Sequence, residues 1–202
     1  PADIDGDTSD TALVGDIGLR QQWNEDVMTY VRYARGYKGR AFDVIFTAPQ
    51  NTQYVDAEQS DSYEAGLKVQ TANGRLQFNA AAFWTDYEDF QAQERDVAAS
   101  TVVVANAGKV STKGIELDAT ALLTDTTLLQ GGIAYTDAKV DSFPFAQCYR
   151  GQTVAEGCIN GAQDLSGEDL PNSPDWRFTA SLRQDIPLAT LPFDGFFQLD
   201  GS

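Results

Sequence analysis

The chain contains no histidine. The commonest metal ligand and the commonest general base are therefore missing, which argues against a metal centre or a histidine-driven catalytic relay. Cysteine is almost as scarce: Cys148 and Cys158 are the only two. Cations are few as well, with 14 lysines and arginines against 30 aspartates and glutamates, for a formal net charge of −16 at pH 7. Such a chain cannot neutralise a run of phosphates, which argues against nucleic acid as a partner, and it has no basic patch for an anionic membrane surface. It attracts cationic groups instead, weakly and in a salt-dependent way. Long apolar runs are also missing. Nothing approaches the roughly 18 consecutive apolar residues of a membrane-spanning helix. That excludes a helical membrane protein but not a β-barrel, whose spanning strands are half polar. No Gly-rich phosphate loop, nucleophile elbow or metal-ligand cluster is present, so an enzyme is not expected.

What is there is alternation. In Ala12 to Trp23 the odd positions include Leu13, Ile17, Leu19 and Trp23, and the even ones Asp16 and Arg20. Tyr63, Ala65, Leu67 and Val69 oppose Glu64, Lys68 and Gln70, and Leu76, Phe78, Ala80, Ala82 and Trp84 oppose Gln77, Asn79 and Thr85. Ile115, Leu117, Ala119, Ala121 and Leu123 alternate with Glu116, Asp118 and Thr120. Leu129, Ile133 and Tyr135 oppose Gln130 and Thr136, and Trp176, Phe178, Ala180 and Leu182 oppose Arg177, Thr179, Ser181 and Arg183. Period-2 patterns of this kind are strands with one apolar and one polar face. Val27 to Tyr37 is noisier, because Met28 and Tyr30 break the pattern set by Val31, Arg32 and Tyr33. The pattern predicts eight strands, the last one incomplete, and no helix.

The connections sort into two kinds. Asn24-Glu25-Asp26, Ala72-Asn73-Gly74 and Thr124-Asp125-Thr126 are short turns, whereas about 38–60, 89–107 and 141–174 are long loops. Short turns on one side and long loops on the other are what an outer-membrane barrel needs. Several segments run ten or more residues, and a strand tilted across a bilayer needs about 9–11. Aromatic residues stand near segment ends (Trp23, Tyr37, Tyr63, Trp84, Tyr87, Tyr135, Trp176), where an interfacial girdle wants them. The expected fold is all-β, an antiparallel transmembrane barrel wall. On that reading Asp16, Arg20, Glu64, Lys68, Glu116, Asp118, Arg177 and Arg183 line a watered lumen. Two rival architectures share the alternation: a soluble extracellular β-sandwich for binding or adhesion, and a passive porin.

Several candidate sites carry more than one reading. Cys148 and Cys158 lie in a polar loop and pair as a local disulfide in an oxidising compartment, or stand as free thiols; a metal would need further ligands. Asp3, Asp5, Asp7 and Asp10 around Gly6 suggest a calcium loop, but the spacing of a calcium-binding hand is not met, and a solvated acidic loop is the simpler reading. Glu116 and Asp118 are paired as acid–base groups would be, or simply line the lumen. Asp86, Glu88 and Asp89 read as a rim near the outer leaflet. Phe143, Phe145, Tyr149 and Arg150 stand beside the cysteines as ligand-capture groups, or pack against neighbouring loops. Pro1 is not a natural start and Gly195 to Ser202 reads as a strand cut partway, so a piece of a longer protein is expected.

These residues resemble a known family. Tyr30 to Gly39 is similar to a barrel strand running up to an outer loop in TonB-dependent outer-membrane receptors. Ser62-Tyr63-Glu64-Ala65-Gly66-Leu67-Lys68 and Ala80-Ala81-Ala82-Phe83-Trp84-Thr85-Asp86-Tyr87 resemble that family's next strands. Asn106-Ala107-Gly108 with Lys113-Gly114-Ile115-Glu116-Leu117-Asp118 is the most specific match, and Leu170-Pro171-Asn172-Ser173-Pro174-Asp175-Trp176 resembles the following loop-to-strand entry. The resemblance implies about eight strands of a 22-stranded plugged barrel, one barrel domain over 1–202 without the plug, the TonB-pairing box or the final strand. It further implies a receptor for a scarce nutrient such as a ferric siderophore, set in outer-membrane lipid, energised through TonB, and needing no cofactor.

Overall fold

Alternating side chains can be served by one geometry only, a sheet whose two faces meet different surroundings. The computed structural model describes residues 9–42, 54–71, 73–96, 101–189 and 192–202, and it shows that sheet. Eight strands lie side by side in chain order: β1 (Gly15–Gln22), β2 (Val27–Lys38), β3 (Glu58–Thr71), β4 (Leu76–Glu88), β5 (Lys109–Thr124), β6 (Thr127–Ser142), β7 (Trp176–Ile186) and β8 (Gly195–Gly201). Every neighbouring pair is antiparallel. The sheet is open, since β1 and β8 are not paired to each other among the described residues.

Register carries the alternation from strand to strand. One row runs Val31, Ala65, Ala82, Ile115, Tyr135, Trp176. The next row toward the short turns on the same face is Leu67, Ala80, Leu117, Ile133, Phe178. A third, at the turn end, is Leu76, Ala121, Leu129, Leu182, Leu199. Among the described residues nothing covers this apolar face. Ile17, Leu19, Ile115 and Phe178 are all more than half exposed. A bare apolar surface of that extent marks a partner or a membrane.

Tight turns close one end. Asn24 Oδ1 accepts from the N–H groups of Asp26 and Val27, both at 2.9 Å, an Asx-type turn between β1 and β2. Asn73 and Gly74 turn β3 into β4 with φ of 55° and 83°, the left-handed pair that suits a hairpin. At the other end the connections extend the hairpins with short ladders of their own: Ala41–Phe42 with Tyr54–Val55, Gln91–Asp96 with Thr101–Asn106, and Ala146–Gln147 with Ala162–Gln163. A single 3₁₀ turn, Val154–Glu156, is the one helical element among the described residues. The few fully buried apolar residues, Val55, Ala107, Val110, Ala138, Val140 and Ala146, all lie at this loop end. The strands themselves enclose no core.

Strand ends differ from the alternation in two places. β3 begins at Glu58 rather than near Ser62, and β6 continues through Ser142. In β3 the added residues Glu58 to Asp61 are all polar, so the strand leaves no apolar signature there, whereas in β6 the buried Ala138 and Val140 carry the alternation on toward the loop. Tyr87 does not join the aromatic row of Tyr33, Tyr63 and Trp84. It pairs with Ser60 and Val110 on the opposite face and meets Phe90 edge-on with ring centroids 5.7 Å apart.

Candidate functional site

The charged residues singled out by alternation share the polar face. Register groups Arg20, Tyr30, Gly66, Ala81, Glu116, Ala134 and Arg177 in one row. The adjacent row holds Met28, Lys68, Asn79, Asp118, Gly132 and Thr179. Asp16 pairs with Arg32 at 3.3 Å, and Asp118 accepts from Asn79 Nδ2 at 2.8 Å. Arg183 pairs with Asp185 at 2.9 Å and lies over the Phe196 ring. Glu116 and Arg177 flank Ala134 across one intervening strand, and with Asp118, Gly132 and Thr179 they border a shallow depression of about 170 Å³. Glu116 and Asp118 point the same way on successive rows, but neither meets a nucleophile or base.

Met28 and Tyr30, which blur the alternation of β2, belong to this polar face. Tyr30 Oη donates to Glu64 Oε1 at 2.5 Å, while its ring lies under Lys68 Nζ at 5.9 Å. The ring occupies the space in which a Cβ on Gly66 would sit. Phe83 fills the same space over Gly114. Each aromatic ring is thus seated on a cross-strand glycine, which accounts for the glycine in Glu64-Ala65-Gly66-Leu67; at Gly114 in Lys113-Gly114-Ile115-Glu116 the backbone carbonyl of Tyr135 stands closer still and excludes a Cβ first.

The cysteine loop is stapled. Cys148 and Cys158 are bonded, with Cα atoms 5.8 Å apart. Thr153 donates to Glu156 Oε2 through its N–H at 2.8 Å and its hydroxyl at 2.9 Å. These bonds, the backbone one foremost, hold the Glu156 carboxyl below the usual carboxylate range. Ser166 does the same to Asp164, chiefly through its hydroxyl and then its N–H. Gln152 donates to the Glu156 carbonyl at 3.0 Å and to Gln163 Oε1 at 2.9 Å, closing the loop from inside. Of the capture candidates, Phe145 is 79% exposed, and Tyr149 and Arg150 are also exposed. Phe143 instead is half-buried at the loop base, where its N–H donates to Ser166 Oγ at 2.9 Å and its carbonyl accepts from Leu165.

At the rim, Asp86 accepts from Trp84 Nε1 at 2.8 Å and Glu88 pairs with Lys109 at 2.9 Å. Asp89 takes a positive φ of 53° where β4 turns into the loop. Of the N-terminal aspartates, Asp3, Asp5 and Asp7 lie outside the described residues, and Asp10 pairs with Arg40 at 3.5 Å.

Alternation could not reveal the polar cluster that joins the first two long loops. Gln91, 7% exposed, donates through Nε2 to the carbonyls of Gly39 (2.9 Å) and Asp56 (3.0 Å), and its own N–H donates to Glu58 Oε2 at 2.8 Å. Asn106 binds Asp56 in both directions, accepting from its N–H at 2.8 Å and donating to its carbonyl at 3.0 Å; it also donates to the Asp89 carbonyl at 2.7 Å. The one signal in the sequence was Asn106-Ala107-Gly108 itself.

Comparison with known proteins agrees with this architecture. The pesticin receptor of Yersinia pestis is 33% identical over 114 residues, covering 56% of this chain and 16% of that protein. The ferrioxamine B receptor of Salmonella typhimurium is 26% identical over 117 residues, 58% of this chain and 15% of that protein. The chain thus spans about a sixth of the length of these relatives. Among solved structures, the ferric yersiniabactin uptake receptor FyuA from Yersinia pestis superposes with a TM-score of 0.65 at 23% identity, over 87% of this chain and 23% of that one. The siderophore receptor PiuA from Acinetobacter baumannii gives 0.62 at 23% identity, over 85% and 23%. At such identities the likeness speaks for the fold alone. Residues 2–201 match the family described as TonB dependent receptor-like, beta-barrel, and the chain belongs to that family of outer-membrane β-barrel receptors.

Proposed function

We propose that this chain is a section of barrel wall, with three outer loops, of an active-transport receptor for a scarce nutrient such as a ferric siderophore. The observation that carries the reading is the pairing of a bare apolar face with a charged opposite face, closed by turns at one end and crowned by built loops at the other. The apolar face meets outer-membrane lipid, which satisfies no backbone group and so demands an unbroken ladder. The polar face, with Asp16, Arg20, Glu64, Lys68, Glu116, Asp118, Arg177 and Arg183, lines the lumen. Ligand is held between the outer loops and a plug outside residues 1–202, with Phe145, Tyr149 and Arg150 as contacts and Phe143 supporting them from the loop base. TonB then pairs by strand addition with a box near the plug and supplies energy from the inner membrane. The names of the relatives, receptors for ferrioxamine B and ferric yersiniabactin among them, support this class of ligand.

The test is uptake. Cells grown under iron limitation are supplied with radioiron-labelled ferric siderophores, with and without the gene and with and without a proton uncoupler. Loss of accumulation on either treatment, with surface binding surviving the uncoupler, is expected. Accumulation that survives the uncoupler points to a passive pore instead.

A further inference from the structure

The first two long loops are tied together at their bases by a handful of side chains. The 39–57 connection leaves β2 at Gly39 and returns near Asp56, and the carbonyls of both residues are gathered by one side chain from another loop, Gln91. Asn106 seals the same point from the far strand of that second loop, bonding both the N–H and the carbonyl of Asp56. A side-chain amide is suited to this task because it offers donor and acceptor in one plane and so stands in for a missing ladder partner. The next two residues continue the join. Ala107 is fully buried, and Gly108, at φ 71°, lies against the Ser142 carbonyl where the third loop begins. Val55, Ala107 and Ala146, one from each loop, are among the few buried apolar residues.

We propose that Gln91 and Asn106 are positioning residues that fasten the bases of the first two outer loops to one another, so that ligand is read there by one preformed body rather than by two loops closing separately. The inference rests on the receptor reading above and deepens it. A preformed surface spends less binding energy on ordering its own loops, and it makes the first loop sensitive to contacts made on the second.

Amide hydrogen exchange of the whole protein in its native outer membrane, without any siderophore, tests the coupling. In Asn106→Ala, and independently in Gln91→Ala, exchange is expected to rise together in 54–58 and 89–91. The rise is roughly tenfold, the factor that loss of about one net hydrogen bond produces. The Cys148–Cys158 segment and the middles of β3 to β6 keep their protection. A rise confined to the loop that carries the substitution overturns the proposal, and so does a uniform rise across the strands, which marks general destabilisation. Failure of the receptor reading shows separately, as absence of siderophore uptake by the unsubstituted protein, and leaves the exchange result standing.

Discussion

Replacing Leu117 by arginine tests the facing of the whole wall. Leu117 pairs with Ala80 on β4 and Ile133 on β6. On β4 the apolar face runs from Leu76 at the turn end to Trp84 at the loop end, and Ala80 is its midpoint. Eight residue steps of about 3.4 Å, tilted by about 40°, span roughly 21 Å, close to the ~25 Å apolar band of outer-membrane barrels. Leu117 therefore sits near the bilayer midplane, where a lipid-facing arginine costs about 2–4 kcal/mol, or roughly 30- to 1,000-fold in the folding constant. Thr120 lies in the row Gln77, Thr120, Gln130, Ser181 on the other face. Arginine there points into water and costs within about 0.5 kcal/mol. The assay is a denaturant titration of the intact protein folded into lipid vesicles, comparing midpoints at constant slope. Equal midpoints for Leu117→Arg and Thr120→Arg refute the facing, and a costlier Thr120→Arg reverses it.

Other consequences are as direct. Gly66→Ala forces the Tyr30 ring off its seat and is expected to cost about 1–3 kcal/mol; in a Tyr30→Ala background the same change costs less, which a double-mutant cycle in vesicles reads out. Reducing the Cys148–Cys158 bond loosens its small loop by roughly 2–3 kcal/mol on the chain-entropy account, so trypsin cleaves after Arg150 faster. The heat-modifiable gel mobility of the barrel stays unchanged, because the bond lies outside the sheet. Acid acts on the same loop. Glu156 and Asp164 are held below the ordinary carboxylate range, so their contribution is complete above about pH 5 and is lost as pH falls through the lowered values. Proteolysis of 147–166 by an acid-active protease is expected to quicken over that interval, and Glu156→Gln together with Asp164→Asn removes the change.

The strands were legible because lipid and water impose opposite demands on neighbouring residues, and Leu117 beside Asp118 records both. Legibility stopped where that contrast stops. Gln59, Ser60 and Asp61 continue β3 beyond the apolar band, yet nothing in their polarity says strand. Tyr30 reads as an error in a two-colour pattern until Gly66 is seen opposite it, a pairing between residues 36 positions apart that no local pattern encodes. The roles of Gln91 and Asn106 escaped alternation for a related reason, although Asn106-Ala107-Gly108 stood out as a motif. The two side chains satisfy backbone groups of a distant loop, and a glutamine or asparagine that replaces a peptide group looks in sequence like any solvated amide. Phe143 was grouped with Phe145 by proximity, although the Ser166 hydroxyl holds it at the loop base.

The lengths of β5 and β6 have one more consequence. Each runs 16 residues. At about 3.4 Å per residue and a tilt of about 40°, that is roughly 40 Å along the membrane normal, against an apolar band of ~25 Å. Their turn ends stop just past Ala121 and Leu129, so most of the surplus stands on the outer side as a rigid stalk of paired strand. The stalk is shared, since Tyr37, Gln59, Glu88, Lys109 and Ser142 lie in one register row, so the three outer loops rise together from one paired rim beyond the apolar band.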